Sequence, residues 1–145
     1  MSATPAQPAQ PARSHTLPKS HVLRAPRDFD AVFAARVKES RGPITILARP
    51  NDLSHARVAI QTSRRVGNAV RRNRIRRLLR EAFRLMQHDL PVGYDWVINV
   101  RPHDTAMLAD YQRMLSAATL KLHATWQARQ QGKVDGDDPG RGAEA

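Results

Sequence analysis

Cysteine is absent from this 145-residue chain, which excludes a disulfide framework, a thiolate-ligated zinc or iron–sulfur site and a thiol nucleophile. No uninterrupted apolar stretch approaches the roughly 20 residues needed to cross a bilayer. The first twenty residues also lack the apolar core of a secretory signal. These absences predict a soluble, cytoplasmic protein. Acid is scarce too, with 13 Asp+Glu against 24 Lys+Arg and a net charge of +11. Nine of the acids lie between residues 21 and 130, dispersed along the chain, whereas two-metal phosphodiester chemistry needs carboxylates converging on ions about 4 Å apart. His15, His21, His55, His88, His103 and His123 show no metal-ligand spacing. No catalytic residue and no protein-bound metal are expected.

What is abundant is arginine. Of the 24 cationic residues only Lys19, Lys38, Lys121 and Lys133 are lysine. Arginine pairs bidentately with phosphate and stacks on bases, although a GC-rich genome would give the same bias. Residues 1–20 are Pro/Ala-rich and 131–145 Gly/Asp-rich, and both read as disordered tails. The first carries Arg13 and Lys19; the second carries Lys133 and Arg141 against Asp135, Asp137, Asp138 and Glu144, so the tails cancel. All the excess charge therefore belongs to one domain, 21–130. Within it, residues 57–84 hold ten arginines and one acid, Glu81.

Local patterns divide the domain. Pro26 can open a helix, and Phe29, Val32, Phe33 and Val37 then recur at helical spacing. Residues 44–49 and 57–62 alternate and are β-branched around a Pro50-Asn51-Asp52 turn, so they read as paired strands. A long helix follows Gly67-Asn68 with Asn68 as N-cap and stops before Pro91. Residues 95–100 form a further strand. Leu108, Tyr111, Leu115, Ala118 and Leu122 stripe a last helix, from about Thr105 to Ala128 behind an Asp104/Thr105 cap. Strands interleaved with helices predict a small α/β sandwich.

The helix at 69–86 carries the functional signal. With Arg72 at zero and about 100° per residue, Leu85, Leu78, Ala82, Ile75, Met86 and Leu79 occupy roughly 220–340°, with Phe83 just beyond. The remaining arc holds Arg72, Arg76, Arg80, Asn73, Arg84, Arg77, Glu81 and Arg74. A solvated face usually mixes signs, but Arg72, Arg76, Arg80 and Arg84 form a same-sign row that costs a few tenths of a kcal/mol per pair. Arg71, Arg72 and Arg74 also crowd the positive end of the helix dipole, unfavourable by about 0.3–1 kcal/mol each. A bound polyanion relieves both penalties.

A membrane helix would need its apolar face free for lipid, and that face is the natural partner of the strands. Duplex DNA can be read by helical arginine, but no helix-turn-helix, zinc-finger or basic-zipper pattern accompanies this helix. RNA is met through backbone contacts and through unstacked bases gripped by aromatics. Phe29 and Phe33 could supply such stacking, or could be ordinary core at i,i+4 spacing.

The stretch Ala69-Val70-Arg71-Arg72-Asn73-Arg74-Ile75-Arg76-Arg77-Leu78-Leu79-Arg80 resembles the signature of the bacterial ribonuclease P protein family, with Arg-Asn-Arg at 72–74 followed by IRRLLR. Asp28-Phe29-Asp30-Ala31-Val32-Phe33, Thr62-Ser63-Arg64-Arg65 before Val66-Gly67-Asn68, and Trp96-Val97-Ile98-Asn99-Val100 support it, in order, over residues 21–126. The resemblance implies a two-layer αβββαβα sandwich similar to the second domain of ribosomal protein S5. Its βαβ crossover would be left-handed, against the usual rule. It implies that catalysis belongs to an RNA subunit with Mg²⁺, and that the protein chain alone is not catalytic. The partners would be that RNA and the single-stranded 5′ leader of precursor tRNA, with no DNA and no membrane. By position, Arg72, Asn73, Arg74, Arg76, Arg77 and Arg80 would meet the RNA subunit or edge a leader cleft, and Arg71 and Arg84 are also expected to bind RNA. Phe29, Phe33, Arg64 and Arg65 would fall at the leader cleft.

Two positions depart from the family pattern. Leu47 stands where some members carry an aromatic, and Val22 where some carry a base that Arg24 could replace. The alternative reading is a ribosomal or ribosome-associated RNA-binding protein.

Overall fold

The structure, a computed structural model, describes residues 18–135, with side chains to residue 131. The expected tails before residue 18 and after residue 135 lie outside the described residues. The elements run α1 (Pro26–Ala35), β1 (Lys38–Arg41), β2 (Ile44–Pro50), β3 (Arg57–Thr62), α2 (Ala69–Met86), β4 (Tyr94–Val100) and α3 (Leu108–Asp135). This is the expected αβββαβα order. A short 3-10 turn at Lys19–His21 precedes α1, so the end of the presumed N-terminal tail is structured. The second presumed tail is helical at its start, since α3 continues to Asp135.

The sheet order is β1-β2-β4-β3, antiparallel except for the parallel pair β3 and β4. The strands at 44–49 and 57–62 therefore do not pair with each other; β4 lies between them. Six of the seven β4 residues are buried, and a strand apolar on both faces belongs at the centre of a sheet. β3 carries Arg57 and Gln61 and takes the edge. Polar β1 takes the other edge, with no apolar alternation by which the residues alone could announce it. Gly42 makes the β1–β2 hairpin possible through its positive φ of 58°.

Alternation along the strands separates two cores. On one face Ile44, Ile46, Trp96 and Ile98 pack with Ile75, Leu79, Ala82 and Phe83 of α2 and Tyr111, Leu115, Ala118 and Leu122 of α3. On the other, Leu47 and Val97 meet Leu23 and Val32, with Phe29 and Ala59 packed alongside. The α2–α3 layer is thus the main one, and short α1 covers part of the opposite face.

Two helix readings change. The buried stripe of α2 runs through Ile75, Leu79, Ala82 and Phe83, while Leu78, Leu85 and Met86 are only half-buried. The core-facing arc is rotated toward Phe83 because α2 packs between β3 and α3. α3 begins at Leu108, so Asp104 and Thr105 do not cap it. The Ala106 N–H donates to Tyr111 Oη at 3.2 Å and the Met107 N–H to Asp110 Oδ2 at 3.1 Å, which holds the preceding loop outside the helix.

Candidate nucleic-acid interface

The basic surface starts at the turn entering α2. A 3-10 turn at Arg64–Val66 buries Val66 and leaves Arg64 and Arg65 exposed. Gly67 follows with φ 149°, and a Cβ there would sit 2.5 Å from Arg71 Cδ, so the position requires glycine. Asn68 caps α2 as expected, its Oδ1 accepting from the Arg71 N–H at 2.9 Å.

From that cap the arginines take different roles. Arg71 donates to the His103 carbonyl and lies 3.8 Å from Asp104, so it ties α2 to the β4–α3 loop. That loop is itself fixed: His103 bonds the Arg101 carbonyl through Nδ1 at 2.8 Å and Tyr111 Oη through Nε2 at 2.7 Å. Arg76 donates to Thr62 Oγ1 at 3.1 Å and to Asn73 Oδ1, which holds it at the end of β3. Arg84 pairs with Glu81 at 2.6 Å; the pair holds the Glu81 carboxyl below its ordinary range and raises Arg84. Arg72 is half-buried, while Asn73, Arg74, Arg77 and Arg80 are exposed. Arg74 and Arg77 flank a shallow depression with Leu78 and Glu81.

A second feature adjoins this face. A groove of about 310 Å³ opens between β3, the segment before α1 and α1 itself, lined by Val22, Leu23, Phe29, Ala59, Gln61 and Arg80 among others. Arg80 is the link: it belongs to the basic face and reaches the groove. Phe29 forms part of the wall and is half-buried. Phe33 is 40% exposed, whereas Val32, fully buried, makes the core contact of α1. Core packing therefore does not explain Phe33. The arrangement offers apolar and aromatic surface beside guanidinium, which suits a single strand whose bases stack while its phosphates are neutralised. Phe33, Arg64 and Arg65 do not line the groove itself.

Of the lining residues, Leu23 and Gln61 carried no signal in the sequence, and Val22 only as a departure from the family pattern. Val22 and Leu23 reach the groove because Val22 bridges Val58 and the Leu23 N–H donates to the Val58 carbonyl at 3.0 Å. Gln61 belongs there because the face toward α1 takes the odd-numbered residues of β3. Arg57, counted with the basic segment, faces inward. Its Nε and Nη2 bond both oxygens of fully buried Asp95 at 2.8 and 2.7 Å, which raises its already high pKa. Among the described residues no three His, Asp or Glu side chains are grouped to hold a metal ion, and no helix is long and apolar enough to cross a membrane.

Comparison with known proteins relates the chain to one family. The family described as Ribonuclease P matches residues 17–123. A ribonuclease P protein component from Methylococcus capsulatus is 41% identical over 98 residues, covering 67% of this chain and 76% of the relative. Another, from Photorhabdus laumondii, is 45% identical over 85 residues, covering 58% and 71%. Among solved structures, the RNase P protein from Thermotoga maritima superposes with a TM-score of 0.60 at 28% identity, over 65% of this chain and 90% of that one.

Proposed function

Since the chain belongs to the ribonuclease P protein family, whose name makes it a subunit of a tRNA-processing endoribonuclease, we propose how it serves that holoenzyme. The exposed face of α2, with Arg72, Asn73, Arg74, Arg76 and Arg77 and the adjoining Arg64 and Arg65, meets the phosphates of the catalytic RNA subunit. The groove takes the single-stranded 5′ leader of precursor tRNA, with Phe29 against a base and Arg80 beside a phosphate. Phe33, exposed one turn along α1, extends the aromatic surface. Arg71 and Arg84 are already engaged by protein groups and act mainly by shaping the face. Phosphodiester cleavage belongs to the RNA, and Mg²⁺ is held there; this chain supplies binding and orientation.

The observation that carries the reading is Arg80, which joins the basic face to an aromatic-walled groove. A ribosomal RNA-binding module would need the first feature and not the second. Affinity for ribonuclease P RNA tests the electrostatic part. If about six phosphates are neutralised, it falls roughly 10³-fold between about 50 and 200 mM salt on the duplex scale. A salt-independent affinity contradicts it.

A further inference from the structure

The groove wall depends on α1, a short helix seated on one face of the sheet. Its ten residues are too few to be stable alone. It lacks a side-chain N-cap and buries Val32 as its one fully covered residue. Besides the packing of Phe29 against Leu47 and Val97, its first turn is tied to the sheet by Asp28, whose Oδ2 lies 3.4 Å from Arg57 Nη1. Arg57 cannot swing away to follow α1, because Nε and Nη2 are both bonded to Asp95. Asp95 is fully buried and also accepts from Asn51 Nδ2 at 2.9 Å. A buried carboxylate stays charged only when its oxygens are satisfied in this way. The remaining nitrogen of the fork, Nη1, is thus presented at a fixed place on the sheet, and Asp28 meets it. The next residue along α1 is Phe29, the groove wall.

We propose that Asp28 is a positioning residue for the leader. Through Arg57 and Asp95 it sets the seating of α1 on the sheet, and so the approach of Phe29 to a base in the groove. The proposal rests on the leader reading above. It also makes a prediction opposite in sign to simple electrostatics: deleting an acid beside an RNA site should tighten binding through the field, whereas misplacing the wall loosens the leader.

The test uses the reconstituted holoenzyme with two precursor tRNAs, one with a leader of several nucleotides and one with a single-nucleotide leader. Asp28→Asn is expected to raise KM about 2–5-fold for the long-leader substrate, the scale of a part-exposed ion pair. It should leave kcat unchanged and the short-leader substrate unaffected, with Asp28→Glu restoring much of the loss. Ile98→Val, in the core on the far face, serves as a control matched for melting temperature and should leave the leader dependence intact. Equal effects on both substrates, tighter binding by Asp28→Asn, or the same leader loss in the Ile98 control would overturn the positioning role. Indifference of the wild-type holoenzyme to leader length would instead overturn the leader reading itself.

Discussion

At the scale of single residues, side chains of one type have separate roles set by what surrounds them. Arg57 is 22% exposed and bound to two carboxylates, while Arg80, on the neighbouring helix, stands in a groove. The leucines of α2 divide similarly. Leu79 is fully buried and Leu78 is not. Leu79→Ala should destabilise the fold by about 2–5 kcal/mol in chemical denaturation, with Leu78→Ala clearly milder. Arg76→Ala should leave the melting temperature nearly unchanged and weaken RNA binding, losing two part-exposed polar contacts, to Thr62 and Asn73, but a full cation at the proposed interface. If Arg76→Ala unfolds the protein and Leu79→Ala does not, the assignment of the two faces of α2 is wrong.

At the scale of elements, what the sequence made legible was local. Asn68 capping α2, Pro26 opening α1 and the apolar spacing of α3 each depend on neighbours within two turns, and each is present in the structure. The pairing of 44–49 with 57–62 failed because strand order depends on β4, more than thirty positions downstream of β3. The role of Arg57 was hidden for the same reason, since Asp95 lies 38 residues away. Of the residues the sequence assigned to the cleft or its edge, Phe29 and Arg80 line the groove, whereas Phe33, Arg64 and Arg65 do not, because its floor is supplied by β3. One element also has a built-in pH dependence. His21 stacks on His55 with ring centroids 4.2 Å apart, and His55 Nε2 bonds the Ser20 carbonyl, which clasps the segment leading to Val22 and Leu23. Burial, and then the neighbouring His55, lowers the His21 pKa from 6.5. The folded state therefore favours the neutral ring, and the unfolded chain takes up the proton first. This contribution is intact above about pH 6.5 and declines as pH falls below it. Amide exchange at Lys19–Leu23 should accelerate relative to the sheet between pH 7.5 and 5.5, after correction for intrinsic rates. The differential should vanish in His21→Phe; its persistence there assigns the effect to another group.

At the scale of the whole molecule, a net charge of +11 works against compactness until an anion is bound, because ten arginines crowd residues 57–84, of which Arg57, Arg71 and Arg84 pair with acids among the described residues. Circular dichroism in low salt should show helix content and melting temperature rising on addition of sulfate; a spectrum already complete and insensitive to sulfate would show that packing alone suffices. The same charge is the basis of the functional claim. On the proposed function, protein cations would replace part of the counterion atmosphere where RNA subunit and precursor meet, so the demand for Mg²⁺ should fall. The direct measurement is removal of the 5′ leader from precursor tRNA by ribonuclease P RNA at low Mg²⁺, with and without this protein. The account predicts that the protein restores cleavage under conditions where the RNA alone is nearly inactive. Cleavage unchanged by folded, RNA-bound protein would contradict it.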